Sequence, residues 1–461
     1  MKFVLTIFII FLNLLMVQKI DAQTPTEFAE AWDESHISNK FPSNVRHKDV
    51  ENYLDQLREL GLRVDEVGRS HGDREIYQIE WGKGKIRVLM WSQMHGDEPT
   101  ATSALMDMFA FLEKDKKKRE WIRKLEQTLT IRAIPMLNPD GSEIYKRRNL
   151  QGIDINRDAR DLKTPEARLL MKLRNEFQPE IGFNLHNQQE LTTVGETPKQ
   201  ATISVLAVRA NPKTELSEGQ KRNARITSLI IGALDQFIKG NIGRYDDSYT
   251  ENAFGDTFSD LGTPVILIET GGLHEKDEMY LTKLNFVAFL TALQSLVDGS
   301  HATADTTVYE NLPENSSGRI FNFIFRNAAV VKFKEVEIES KHNQKKTGGA
   351  VLPEKQFVVE INQMDVGVNR DRRRAEIAAP PVYVRKVADL SSYRGLTEFN
   401  VDGFYIFAEN GPVRNGRRGA LLFFKKSRKI DWLAEDVGKK FPADAIFVRG
   451  RWLKGAELFA K

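Results

Sequence analysis

The sequence predicts an α/β fold: a mixed, mostly parallel central sheet with helices on both faces, followed by a smaller β-rich domain. Three observations predict it. Up to about residue 300, short apolar runs alternate with segments of helical spacing, the pattern of strands joined by helices. One run, Ile86–Trp91, is nearly continuous in apolar character, as in a strand buried on both faces. Beyond residue 300 helical spacing fades, and brief strand-like runs are separated by Gly, Asn and Pro turns.

At 461 residues the chain exceeds one ordinary domain. Lys2 precedes an apolar run from Phe3 that continues to Val17, and Asp21-Ala22 offers a small-residue cleavage point. Residues 1–22 therefore read as an export signal. The run is short for a membrane span and is broken by Asn13, so cleavage is favoured over anchoring. The expected location is periplasmic or extracellular in a bacterium, with no transmembrane segment in the mature protein. There is no cysteine, which excludes a disulfide framework and any thiolate metal site. The net charge of +3 hides an asymmetry. From residue 301 onward 28 Lys and Arg face 20 Asp and Glu; the remainder has 39 against 44. No nucleic-acid motif accompanies the basic end, so a nucleic-acid partner is not expected; a cell-envelope polymer is the speculative partner.

The elements follow in order. Residues 23–45 read as an extended lead-in. Val50, Tyr53, Leu54, Leu57 and Leu60 give one buried face to a helix over 47–61, stopped by Gly61. Strands are read at 63–69, 75–80, 86–91, 128–136, 181–186, 202–208 and 264–269. Helices are read at 99–114, with Pro99 at its first position, and at 164–177, 218–239 and 279–298. Asn138-Pro139-Asp140-Gly141 reads as a turn. The predicted division is a catalytic domain over 23–302, a polar linker over 303–317 and a β-rich domain of unknown role over 318–461.

Four residues stand at predicted strand ends: His95 and Glu98 after Ile86–Trp91, His186 after Ile181–Leu185, and Glu269 after Val265–Ile268. Two imidazoles and one carboxylate suit a single Zn2+ ion with one coordination face open to water. The other carboxylate is then free to move protons. Each residue alone has a bland reading: a surface histidine, a carboxylate capping a helix. The segment Arg147–Asp158 adds arginines and amides, which suit either a solvated loop or a receptor for a carboxylate.

His95-x-x-Glu98, Asn138-Pro139-Asp140-Gly141, Arg147-x-Asn149-x-x-Gly152-x-Asp154-x-Asn156-Arg157, His186 and Glu269-Thr270-Gly271 together resemble the zinc metallocarboxypeptidases, the carboxypeptidase A-like family. The resemblance spans roughly residues 40–300 and omits the β-rich end. It implies a carboxypeptidase-like fold, with His95, Glu98 and His186 as zinc ligands and Asp154 behind the His95 ring. Arg147, with Arg148 as the neighbouring alternative, would stabilise the oxyanion. Asn156 and Arg157 would hold the substrate carboxylate, and Glu269 would be the general base and then the general acid. The family's mobile tyrosine has two candidates, Tyr245 and Tyr249, of which Tyr249 has the closer spacing. Arg244, Asp246, Asp247 and Asp256 either line a specificity pocket, where acidic groups favour a basic leaving residue, or tie a loop together. The expected activity is hydrolysis of a C-terminal peptide bond. Related zinc deacylases, similar to aspartoacylase and succinylglutamate desuccinylase, make an acyl-amino acid the alternative substrate, and a silent binding protein is the reading from another class.

Overall fold

The computed structural model describes residues 22–209, 211, 213, 215–317, 319–338, 354–370, 382–386, 394–408, 421–430, 442–448 and 451–459. All but the last residue of the segment read as an export signal therefore lies outside the described residues.

The first sheet has eight strands. In chain order they are β1 (Arg63–Arg69), β2 (Glu75–Gly82), β3 (Ile86–Ser92), β4 (Leu129–Ile134) and β5 (Ile181–Asn187). After a two-residue strand β6 (Thr193–Val194) outside this sheet come β7 (Ile203–Ala207), β8 (Ile242–Arg244) and β9 (Val265–Thr270). The spatial order is β1-β2-β4-β3-β5-β9-β7-β8. The four central strands, β4, β3, β5 and β9, are mutually parallel. The flanking strands β2 and β7 run antiparallel to them. The α/β class and the mixed, mostly parallel sheet are as the sequence predicts. β3, β5 and β9 are the strands whose C-terminal ends lie side by side, which is where open α/β sheets bind ligands.

Helices cover both faces: α1 (Pro25–Ser35), α2 (His47–Glu59), α3 (Thr100–Lys114), α4 (Arg119–Thr128), α5 (Pro139–Glu143), α6 (Pro165–Phe177), α7 (Glu218–Ile238), α8 (Phe254–Asp260) and α9 (Glu278–Asp298). Two apolar cores result. One lies between the sheet and α1, α2, α3, α7 and α9, and holds Phe28, Phe109, Phe111 and Phe286. The other lies toward α6 and α8, around Trp91, Phe254 and Phe258. Among the described residues α9 alone is long and apolar enough to cross a membrane, yet 72% of its most apolar window is buried in the fold.

Several elements depart from expectation. The lead-in is not extended: α1 is capped by Thr24, whose side chain accepts from Glu27 N while the Glu27 side chain bonds back to it. Its Trp32 donates to buried Asp107 at 2.8 Å, which locks α1 onto α3. The turn at 138–141 is the start of α5, with the Asn138 side chain accepting from Gly141 N. α4 and α8 were not foreseen. Within 303–317 the chain forms α10 (Thr307–Glu310) and β10 (Asn315–Ser316), and Tyr309 is buried in the main core.

The second sheet is built from β11 (Ile320–Ile338), β12 (Glu354–Arg370), β13 (Val382–Lys386), β14 (Arg394–Asn400), β15 (Phe404–Ala408), β16 (Leu421–Lys425), β17 (Ala445–Val448) and β18 (Arg451–Lys454). Its path is β13-β12-β11-β15-β16-β17-β18, with β14 beside β11. Phe325, Phe423 and Phe447 pack edge to face and tilted with Trp452 in its core.

Candidate metal centre

The site grows from strand ends. His186 and Glu269 are paired neighbours in the β5–β9 register. His95 sits in the turn leaving β3, and Glu98 stands just before α3. That turn is held from outside. Asn138 Nδ2 donates to the Met94 carbonyl at 3.1 Å, and Gln93 Nε2 donates to the Gly96 carbonyl at 3.1 Å. Gly96 lies against Gly141, and a Cβ there would fall 2.0 Å from the Gly141 carbonyl carbon, so no other residue fits.

His95, Glu98 and His186 come together, all buried, with donor atoms within 4.8 Å of one another. His95 Nδ1 lies 2.9 Å from Glu98 Oε1, and His186 Nδ1 lies 2.7 Å from Glu98 Oε2. The far nitrogen of His95, Nε2, meets Asp154 Oδ1 at 2.9 Å. Asp154 thereby fixes the tautomer that leaves Nδ1 as the ligand atom. The Asn187 backbone N–H donates to Glu98 Oε2 at 3.1 Å.

The charge distribution fits a divalent cation. Burial alone would lower the His95 pKa, but Glu98 and Asp154 outweigh it and push the ring up to about 9. The two carboxylates thus hold a proton where a cation would sit. Glu98 is well below the usual carboxylate range, against its burial, because both imidazoles face it. Asp97 Oδ1 is buried with no hydrogen-bond partner beside these ligands. A second grouping, His47, Glu51 and Glu75, is met by cations already: Arg69 pairs with Glu75 at 2.7 Å and Lys48 with Glu51 at 3.2 Å.

Arg147 Nε donates to Asp154 Oδ2 at 2.9 Å, and Nη1 reaches Glu98 Oε1 at 3.2 Å and His95 Nδ1 at 3.1 Å. Its loop is partly exposed but is tied inward by Asn149. Buried Asn149 accepts from the backbone N–H groups of Gln151 and Ile153 and donates to buried Glu166 at 3.1 Å. Arg148, the neighbouring alternative, instead bonds the Gly152 carbonyl at 3.0 Å and is exposed. Asn156 Oδ1 accepts from Phe254 N at 2.9 Å, which orients its amide. Arg157 donates to the Asn156 carbonyl and lines the cleft.

Glu269 is buried, and burial first, then the Glu98 charge, raises its pKa well above the usual value. The Tyr245 hydroxyl faces this carboxylate, whose charge, with burial, raises the Tyr245 pKa in turn. Tyr249 is elsewhere: its hydroxyl donates to Asp260 at 2.8 Å and meets Arg160, tying a surface loop. Chain spacing ranks Tyr249 first because it ignores how β8 and its following turn carry Tyr245 over the sheet edge.

A cleft of about 1220 Å³ contains all the grouped residues except buried His186 and Asp154. Asn184, Leu206, Val208, Ala253, Asp256 and Leu267 line one part of it, and Asp246 and Asp247 also face it. Burial, with the neighbouring carboxylates of Asp247 and Asp260, pushes Asp256 up to about 7 against a backbone hydrogen bond from Thr250. Arg244 is not on the lining; it pairs with Glu314 at 2.7 Å. Asp97, Asn187 and Gln188 were missed by sequence reasoning, although two of them directly follow His186.

Residues 50–168 match a family model described as zinc carboxypeptidase. That segment holds His95, Glu98, Arg147, Asp154, Asn156 and Arg157 but stops short of His186 and Glu269. Among curated proteins, a probable carboxypeptidase 2 of Arthroderma benhamiae is 29% identical over 119 residues, covering 26% of this chain and 22% of that protein. The carboxypeptidase N catalytic chain of Homo sapiens is 29% identical over 122 residues, 22% of this chain and 27% of that one. The chain thus spans about a fifth to a quarter of the length of these relatives. A solved metallo-carboxypeptidase from Burkholderia cenocepacia aligns at 19% identity with a TM-score of 0.46, over 55% of this chain and 69% of that chain.

Proposed function

We propose that this chain, similar to zinc carboxypeptidases, is an exported metallocarboxypeptidase that removes a C-terminal residue, with a preference for a basic one. The observation that carries the reading is the buried His95–Glu98–His186 cluster with Glu269 one strand away, at the ends of three adjacent parallel strands. A single bound zinc ion supplies Lewis acidity to water and to the scissile carbonyl.

The chain's own groups do the rest. Asn156 and Arg157 bind the terminal carboxylate, the arginine through paired N–H donors. Asp256 receives a cationic side chain in the pocket beside Asn184, where a desolvated carboxylate gains most from a partner. Arg147 donates to the carbonyl oxygen as it becomes an oxyanion. Glu269 takes a proton from the attacking water and returns it to the departing amine nitrogen. A divalent cation sharing the pocket would draw the raised Glu269 pKa back toward the ordinary range. Tyr245, not Tyr249, contacts substrate beside Glu269. Residues 1–22 direct the chain to the periplasm or exterior.

The test is metal analysis of the purified full chain combined with a C-terminal-release assay on a mixed peptide library. One zinc per chain and release of single C-terminal residues, Lys and Arg foremost, support the reading. Turnover confined to N-acyl amino acids would transfer the site to the deacylases, and absence of any hydrolysis by zinc-loaded protein would sink it.

A further inference from the structure

The cleft has one wall that the first sheet does not build. Asn315, Ser316 and Ser317 line it, alongside Gln188–Thr192. These three residues lie between α10 and the first strand of the second sheet. The first two, and the residues flanking the three, are held by several hydrogen bonds. The Tyr309 hydroxyl accepts from Ala207 N at 3.0 Å, and β10 pairs antiparallel with β6. Asn315 Oδ1 accepts from Ser204 Oγ at 2.7 Å, while its Nδ2 donates to Gln188 Oε1 at 2.6 Å. Gly243 makes room for it, since a Cβ there would lie 2.4 Å from Asn315 Oδ1. Further on, Arg319 pairs with Glu196 and Asn322 donates to Glu190 at 3.1 Å. The entry to the second sheet therefore clamps the loop that follows His186.

The order of residues along the strands says what this wall faces. Along β5 and the residue that follows it, Asn184, His186 and Gln188 come at intervals of two, and so do Leu267, Glu269 and Gly271 along β9 and just past its end. Residues two apart share a face. Asn184 and Leu267 belong to the pocket, His186 and Glu269 to the reacting centre, and Gln188 and Gly271 to the part of the cleft shared with Asn315. The carboxylate-binding Asn156 is bonded to Phe254, next to the pocket residue Gly255, which fixes the C-terminal residue of a substrate at the 184/267 end. Upstream residues must run toward 188/271. Four residues of strand cover about 13 Å, the reach of three to four extended substrate residues.

We propose that Asn315–Ser317 form the binding wall for the part of a peptide upstream of the scissile bond, so that the segment leading into the C-terminal β-rich unit helps to select substrates by length. The inference rests on the carboxypeptidase reading for the direction in which substrate lies. It makes that segment part of the substrate site rather than a passive tether.

The absence of native cysteine allows a direct test, because one introduced thiol is the only thiol. Ser317→Cys and, as the pocket probe, Thr250→Cys are each placed in the zinc-loaded full chain carrying Glu269→Gln. Alkylation by iodoacetamide is timed with a saturating arginine-terminated hexapeptide or an N-acetylated dipeptide ending in arginine. The hexapeptide should slow labelling at 317 at least tenfold and the dipeptide by less than twofold, while both slow labelling at 250. Protection at 250 without protection at 317 by the hexapeptide overturns the wall and leaves the peptidase reading standing. Equal protection of 317 by both peptides overturns it too. Protection at 317 alone supports the wall and overturns the assigned direction of the peptide, and protection at neither site overturns both.

Discussion

Replacing Asp256 with Asn should remove the preference for a basic C-terminal residue and its dependence on pH. Asp256 is held at about 7 in the folded chain, chiefly by burial and then by Asp247 and Asp260, against an ordinary value of 3.8. Three pH units correspond to about 4 kcal/mol against the charged form. The carboxylate keeps some contact with solvent, so screening reduces this to about 2 kcal/mol. A substrate guanidinium that enters the pocket recovers it. The assay is kcat/KM for an arginine-terminated peptide divided by that for its leucine-terminated twin, from pH 5.5 to 9. The quotient cancels proton steps common to both substrates. It should be level above about pH 8 and fall close to tenfold per unit below about 7. Asp256→Asn should lower it about 30-fold at pH 8 and flatten the profile. The stability sign is opposite. A carboxyl whose folded pKa is raised opposes folding above its unfolded pKa, and the cost grows as pH climbs from 3.8 through about 7. The Asn variant should therefore resist urea better at pH 8, by up to about 2 kcal/mol, and match wild type below pH 3.8. A quotient that ignores the substitution, or that rises as pH falls, would refute the assignment of Asp256 to the pocket's cation.

Three further outcomes follow from the geometry. Glu269→Gln should cut kcat by at least about 10³-fold while zinc content stays at one per chain, because Glu269 is not among the clustered donors; loss of zinc together with activity would place Glu269 among the ligands. Asp154→Asn should weaken zinc binding by about 10- to 100-fold, read by competition with a chelator, since one neutral amide oxygen cannot serve both the His95 ring and Arg147 as the two carboxylate oxygens do. Asp107→Ala should lower stability by about 3 kcal/mol in urea unfolding, because it strands four donors, those of Trp32, Ser38 N and Ser38 Oγ buried and that of Ile37 N partly so; a change under about 0.5 kcal/mol would deny that this carboxylate anchors α1.

What the sequence made legible was whatever is written in local chemistry at strand ends. His95, Glu98, His186 and Glu269 could be singled out because each ends an apolar run, and a parallel sheet necessarily gathers such ends. α1 was legible in principle, for Thr24-Pro25-Thr26-Glu27 is a capping box with proline at the first position, but its sparse apolar face hid it. The choice between Tyr245 and Tyr249 was not legible. It depends on β8 pairing at the sheet edge and on Asp260 and Arg160 drawing Tyr249 away, contacts that join residues up to 89 positions apart. Asn315 was beyond reach for the same reason: its meaning lies in Ser204 and Gln188, more than a hundred residues upstream. Polar composition marked that stretch as a linker, whereas Asn315 and Glu314 bond to Ser204 and Arg244 of the first sheet.

The position of Arg147 leads to a prediction that separates its two conceivable roles. Its Nε is anchored by Asp154, and its Nη1 lies 3.1 Å from His95 Nδ1 and 3.2 Å from Glu98 Oε1. Those two atoms are the ones a cation would claim, and two positive charges cannot share them. Filling the site must turn Nη1 away while the Nε anchor can stay, which leaves the guanidinium aimed into the cleft. A loaded metal site and an available oxyanion donor are then one event. Removing the side chain deletes a competitor for the cation as well as the donor. Arg147→Ala should therefore bind zinc at least as tightly as wild type in a chelator competition, yet lose about 10²- to 10³-fold in kcat. If Arg147 were instead a structural brace for the ligands, zinc affinity would fall along with activity, and a tenfold weakening would rule out the competition argued here.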